Sequence, residues 1–201
     1  MYRVPKIATL MLAGMLFTMA AFSQKVKVTE GDLSALKGEK IINTQFTYDN
    51  MSVGKFPKEA DYVKQKTDDL NKKTPGRGDT WAKSWVADRE GRFEPKFNEL
   101  LSKASGMDAG THKDAKYTLI FHTTSTEPGF NVGVMRKSAS VDGEALLVET
   151  ADPSKVIARI KVDNAPGNAF WGNDWDTGER LQESYATAGR GIGRVIDKQV
   201  N

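Results

Sequence analysis

The segment from Tyr117 to Asp163 constrains the fold most, because apolar and polar residues alternate along it in four separate runs. Alternation with period two places successive side chains on opposite faces of an extended chain, which predicts β-strands with one buried face and one wet face. The apolar positions of the four runs are Tyr117, Leu119 and Phe121; Val132 and Val134; Leu146 and Val148; and Val156, Ala158, Ile160 and Val162. The sequence therefore predicts a sheet whose apolar face needs a second layer to cover it.

Three short segments rich in turn-forming residues separate the four runs. They are Glu127-Pro128-Gly129, Val141-Asp142-Gly143-Glu144 and Ala151-Asp152-Pro153-Ser154. Proline, glycine and aspartate between apolar runs favour reversals of the chain. Four strands joined by such turns predict an antiparallel meander.

Helical patterns flank the meander and can supply the covering layer. Residues 57–72 and 79–104 are predicted helices, the second with a kink or restart at Glu94-Pro95, and a last helix opens at Asp176. Strands are predicted at 25–28 and 40–49, the longer one inserting beside a meander strand. The predicted fold class is α+β: a two-layer sandwich with a mostly antiparallel sheet of about five strands, ordered β-α-α-β-β-β-β-α, and helices covering one face.

The first 23 residues are typical of a cleaved signal peptide. Arg3 and Lys6 precede an apolar run from Ile7 to Phe22, and Ala21-Phe22-Ser23 places small residues where a signal peptidase cuts, before Gln24. A retained membrane anchor is the alternative, but the run is shorter than the ~20 residues that a span needs. We therefore expect a signal peptide at 1–23, an N-terminal arm at 24–39, one α+β domain at 40–201 and a secreted or periplasmic location without a membrane span.

Charge and composition exclude several classes of function. Without Arg3 and Lys6, 27 of the 29 basic residues remain against 26 acidic residues, so the mature chain lacks the basic surplus of a nucleic-acid-binding protein. The zero cysteine count excludes disulfides and thiol chemistry. His112 and His122 are the two histidines, too few for a typical zinc site. The glycines at 189, 191 and 193 lack the Gly-x-Gly-x-x-Gly spacing of a dinucleotide site. We therefore predict no catalytic residue, no metal and no cofactor.

One loop remains as a candidate contact surface for a ligand or partner. Its candidate residues are Trp171, Asn173, Asp174, Trp175 and Asp176. Indole faces beside polar groups suit a sugar or a partner chain. The alternative is that Trp171 and Trp175 fold back and seal the core near Trp81 and Trp85, because large aromatic side chains are mostly buried.

Several segments together resemble small envelope domains. They are the strand Ala115-Lys116-Tyr117-Thr118-Leu119, the hairpin that runs from Leu146 to Asp152 and on to Val156-Ile157-Ala158, and the closing helix from Gly178 to Arg190. In order and type they are similar to the periplasmic domain of the curli-secretion channel and to the N-terminal domain of the Tol-system translocation protein. The resemblance implies a non-catalytic domain that acts in envelope assembly through an envelope protein or self-association. A carbohydrate-binding or sugar-hydrolysing protein that uses the Trp171 and Trp175 loop is the alternative.

Overall fold

The computed structural model of this chain describes residues 24–132, 135–167 and 176–201. The described strands are β1 (Lys25–Gly31), β2 (Ile41–Thr47), β3 (Ser52–Val53), β4 (Asp108–Gly110), β5 (Tyr117–Glu127), β6 (Phe130–Val132), β7 (Met135–Lys137), β8 (Ala139–Glu149) and β9 (Asp152–Gly167). The helices are α1 (Glu59–Lys73), α2 (Arg77–Asp88), α3 (Glu94–Ser105) and α4 (Thr177–Val200), with a 3-10 turn at Ser34–Leu36 and a π-helical turn at Arg89–Phe93.

The described strands form one mixed sheet and one small ribbon. The sheet has seven strands in the order β1-β9-β8-β5-β2-β4, with β3 beside β5 after β2 ends. Strands β1, β9, β8 and β5 pair antiparallel, whereas β2 and β3 run parallel to β5 and β4 runs parallel to β2. The predicted α+β class is confirmed, with more strands than expected. The segment that we expected as an arm contributes the edge strand β1.

The predicted four-strand meander is wrong in two respects. The run that contains Val132 pairs with β7 in the small ribbon and does not join the sheet, and the second turn does not exist. Asp142 and Gly143 lie inside β8, where the pairing register shifts. The Asp142 carboxylate accepts hydrogen bonds from the backbone N–H of Asn164 at 2.6 Å and from the Ser125 hydroxyl at 3.1 Å. A Cβ on Gly143 would lie 2.6 Å from the Phe121 ring, so glycine serves close packing there. A turn-like dipeptide thus forms a β-bulge.

Helices α3 and α4 cover one face of the sheet and enclose the core. Fully buried side chains of both layers meet there, namely Phe97, Leu101, Leu181, Ile192, Ile196, Leu119, Phe121, Leu147 and Ile160. The helices approach closely, since a Cβ on Gly189 would lie 2.3 Å from the carbonyl oxygen of Phe97. Gly189 and Gly193 therefore serve the packing of α4 against α3, whereas Gly191 faces Gln24 and Val26.

Candidate functional site

The structure places one of the five predicted contact residues. Trp171, Asn173, Asp174 and Trp175 lie outside the described residues, whereas Asp176 is the N-cap of α4. Whether the two tryptophans face solvent or seal the core stays a prediction. Trp85 is buried and Trp81 packs against the core, as predicted from the sequence.

Asp176 links the start of α4 to the π-helical turn that contains Arg92. Its Oδ1 accepts a hydrogen bond from the Gly178 N–H at 2.8 Å, and its Oδ2 accepts one from Nη1 of Arg92 at 2.6 Å. Partial burial raises the pKa of this carboxyl, but the bonds from Arg92 and Gly178 outweigh burial and hold its pKa below the ordinary value. Arg92 also pairs with Asp88, Nε to Oδ1 at 3.1 Å. Both carboxylate oxygens of Asp176 thus accept hydrogen bonds that stabilise the fold.

A π-helical turn brings Arg92 to this position. Pro95 has no backbone N–H, so it cannot bond the carbonyl four residues earlier. Immediately before it, the N–H of Glu94 bonds the carbonyl of Arg89, five residues back, as in a π-helix. The kink predicted at Glu94-Pro95 therefore occurs as a widened turn within one continuous helical segment, residues 77–105.

The same turn directs a second arginine and a carboxyl inward. Arg89 lies 4.3 Å from the centre of the Tyr48 ring and is ion-paired with Glu59, which also accepts a hydrogen bond from Trp85 Nε1 at 2.5 Å. The hydroxyl of Tyr48 donates to Glu94 at 3.1 Å. Burial raises the pKa of Glu94, although that hydrogen bond acts against the rise. Burial also raises the pKa of Tyr48.

An open cleft, which we call the aromatic cleft, lies beside the first turn of α4. The guanidinium of Arg180 donates to the carbonyl of Pro128 at 3.0 Å and so holds the turn after β5 against α4. That turn borders a cleft of about 330 Å³. Its aromatic lining residues are Phe56, Tyr62 and Phe130, and its charged ones are Lys55, Lys66, Glu127 and Lys137.

The charged residues of the aromatic cleft leave an excess of positive charge. Lys137 pairs with Glu127 at 2.5 Å, whereas Lys55 and Lys66 form no ion pair within the described chain. Lys55 Nζ lies 5.3 Å from the centre of the Phe56 ring. Burial raises the pKa of Tyr62 to about 12, so its hydroxyl is protonated at neutral pH. The cleft combines apolar rings with unpaired cations.

The ribbon formed by β6 and β7 extends this apolar surface. Phe130 is 43% exposed and Met135 is 62% exposed, unusual values for large apolar side chains. Phe130 pairs with Lys137 across the ribbon, and Met135 lies two residues before Lys137. Alternation along a strand therefore puts Phe130, Met135 and Lys137 on one face of the ribbon. This face continues the aromatic cleft outward.

The sequence did not reveal the aromatic cleft, because its rings come from three distant segments. Phe56 precedes α1, Tyr62 lies on α1, and Phe130 belongs to the ribbon. One sequence signal could have indicated that Phe130 and Met135 are exposed. Their segment has the weakest alternation of the four runs, and it holds two glycines, at 129 and 133.

Each of the two histidines considered as metal ligands contacts one other polar side chain. His112 Nε2 lies 3.2 Å from an Asp108 carboxylate oxygen, and His122 Nδ1 lies 2.8 Å from the Thr47 hydroxyl. Across residues 24–132, 135–167 and 176–201, no three His, Cys, Asp or Glu side chains come together as metal ligands would. Within the same ranges, no helix has both the length and the apolar composition of a membrane span.

Comparison with known proteins gives no family for this chain. No family model and no curated protein matches it. Among solved structures, it is similar to the PelC dodecamer from Paraburkholderia phytofirmans, with 12% identity over 82% of this chain and 96% of that chain and a TM-score of 0.38. A protein of family DUF330 from Xanthomonas campestris has 10% identity, over 78% and 90% of the two chains, and a TM-score of 0.31. These scores are too low to establish a shared fold, and the resemblance to curli and Tol domains stays a prediction.

Proposed function

We propose that this chain is a non-catalytic module of the cell envelope that binds a partner protein in its aromatic cleft. The occupant is a protein segment that carries apolar side chains next to carboxylates. One observation carries the proposal: Phe130 and Met135 are exposed on one face of the ribbon, beside the unpaired cations Lys55 and Lys66. Exposed aromatic and methionine side chains bordering a cleft are typical of protein contact surfaces.

The state of the carboxylates supports a non-catalytic role. Hydrolysis of a sugar needs two carboxyl groups facing the scissile bond, one of which protonates the leaving group. In the described part of the chain, Asp176, Asp88 and Glu59 are each ion-paired with an arginine, and the pairs of Asp176 and Glu59 link different helical elements. These pairings favour binding over chemistry.

The sequence start supports an envelope location. The basic, apolar and small-residue segments of residues 1–23 are typical of a signal peptide that directs export. A secreted or periplasmic protein of this kind meets its partner outside the cytoplasm. Self-association is a special case of the proposal, in which the partner is a second copy.

Carbohydrate binding through Trp171 and Trp175 is the second candidate. The observation that favours it is the position of Asp176, four residues before Arg180, which bonds the turn that borders the aromatic cleft. The indole faces of Trp171 and Trp175 would bind the sugar.

Site-specific photo-crosslinking tests the proposal in intact cells. A benzoylphenylalanine at position 130 is expected to form one discrete protein adduct. The same group at position 156, where Val156 is 44% exposed on β9, serves as the matched control and is expected to form none. Because the rim is cationic, Lys55→Glu with Lys66→Glu is expected to abolish the adduct at 130. Equal adducts at both positions, or a glycan adduct in place of a protein, would contradict the proposal.

A further inference from the structure

A second groove, separate from the aromatic cleft, lies between α3 and α4. It encloses about 330 Å³ and is lined by Leu100, Lys103 and Ala104 from α3 and by Arg190 and Arg194 from α4. Its floor is apolar and its charged side chains are all basic. We call it the basic groove.

Two glycines of α4 bring the walls of this groove close together. A Cβ on Gly189 would lie 2.3 Å from the Phe97 carbonyl oxygen, and one on Gly193 would lie 2.8 Å from that of Leu101. The two helix backbones are therefore nearly in contact, which brings Lys103 opposite the arginines. The segment from Gly189 to Arg194 thus has two roles: Gly189 and Gly193 pack against α3, and the two arginines line the groove.

The three cations make no close ion pair in the described chain. Within the described chain, none of Lys103, Arg190 and Arg194 forms a hydrogen bond or an ion pair through its side chain. Arg89, Arg92 and Arg159, by contrast, are each paired with a carboxylate. Like charges four residues apart on a helix repel each other, so a bound anion would relieve the repulsion between the exposed side chains of Arg190 and Arg194.

Neighbouring groups do not supply that anion. Glu99, four residues before Lys103, is bonded to Lys96 at 2.8 Å and attracts Lys103 only from a longer distance. Asp197, three residues after Arg194, accepts a hydrogen bond from Asn201 at 2.8 Å and forms no ion pair with Arg194 in the described chain. The negative end of the α3 dipole stabilises Lys103, which lies in the last turn. It does not account for Arg190 and Arg194, which lie in the interior of α4.

We propose that the basic groove binds a phosphoryl group. Two guanidinium groups provide planar forks of N–H donors that match phosphate oxygens, and the ammonium of Lys103 adds a third cation from the opposite wall. The apolar floor of Leu100 and Ala104 accommodates the uncharged moiety that carries the phosphate. Either a phospholipid headgroup or a soluble phosphate ester has this chemistry.

Binding of the mature chain to two probes at low ionic strength tests the site and distinguishes the sources. The first probe is inorganic phosphate, whose binding is monitored through amide chemical shifts. The second is a pair of vesicle preparations, phosphatidylglycerol and phosphatidylcholine, whose binding is measured by sedimentation. We expect shifts confined to the walls of the basic groove, and binding of the anionic vesicles alone. Arg190→Gln with Arg194→Gln is expected to weaken binding by about tenfold or more.

A variant with the same change of charge is the control. Arg77→Gln with Lys83→Gln removes two exposed cations from α2, so it tests the effect of net charge alone and is expected to bind as the parent does. Vesicle binding without phosphate binding would assign the site to lipid headgroups, and phosphate binding alone would assign it to a soluble ester. Loss of binding to the same extent in the control, or no binding of either probe by the parent, would overturn the proposal.

Discussion

At the scale of single residues, Asp176 has two separable roles, because one carboxylate oxygen caps α4 and the other binds Arg92. Asp176→Ala removes both, and we expect it to lower the free energy of unfolding by about 1 kcal/mol for the cap, with little added by the partly exposed ion pair. Asp176→Asn is the control, since asparagine is as good a cap but carries no charge. Urea denaturation measures both, and an asparagine variant as unstable as the alanine variant would contradict the assignment to capping.

Glu94 is the residue whose titration should affect stability with a definite sign. Its folded pKa is raised above 4.5, mainly by burial, so the ionised form is disfavoured at neutral pH and this penalty disappears as the carboxyl is protonated. Glu94→Gln removes the charge and keeps an oxygen for the Tyr48 hydroxyl. We expect the stability of this variant relative to the parent to be greatest near neutral pH and to decline on acidification. A relative stability that rises on acidification would show that the sign is wrong.

At the scale of elements, the contact between α3 and α4 requires glycine. Gly189→Ala places a methyl group against the Phe97 backbone, and we expect it to lower the free energy of unfolding by about 1–3 kcal/mol. Gly91→Ala is the matched control, because a Cβ there meets nothing within 4 Å and alanine favours helix by up to about 1 kcal/mol. Denaturation curves of the two variants give the comparison. Equal effects would mean that the close approach of the helices does not limit residue 189.

Strands and helices with a regular apolar pattern could be predicted from the sequence. Features that depend on contacts between distant segments could not. The alternation of β9 from Ala158 to Val162 and the apolar stripe of α4 follow directly from the burial of one face. Val156, predicted on the same buried face, is exposed, because the pairing of β9 with β8 shifts register between Val156 and Ala158. Asp142-Gly143 carries the same local chemistry as a turn, and only its contacts with Ser125 and Asn164 on neighbouring strands make it a bulge. The candidate site was less predictable than the fold, because Phe56, Tyr62 and Phe130 meet only after folding.

At the scale of the whole molecule, two surfaces differ in chemistry: we propose the aromatic cleft for a partner protein and the basic groove for a phosphoryl group. Oxidative footprinting in the intact envelope tests whether a partner occupies the aromatic cleft. Met135 is 62% exposed in the isolated chain, and Val86, 54% exposed on α2, is an internal control outside the cleft. With a partner in the cleft, we expect hydroxyl radicals to modify Met135 much less in the envelope than in the purified protein, while Val86 is modified equally in both. Equal modification of Met135 in the two settings would contradict the proposal.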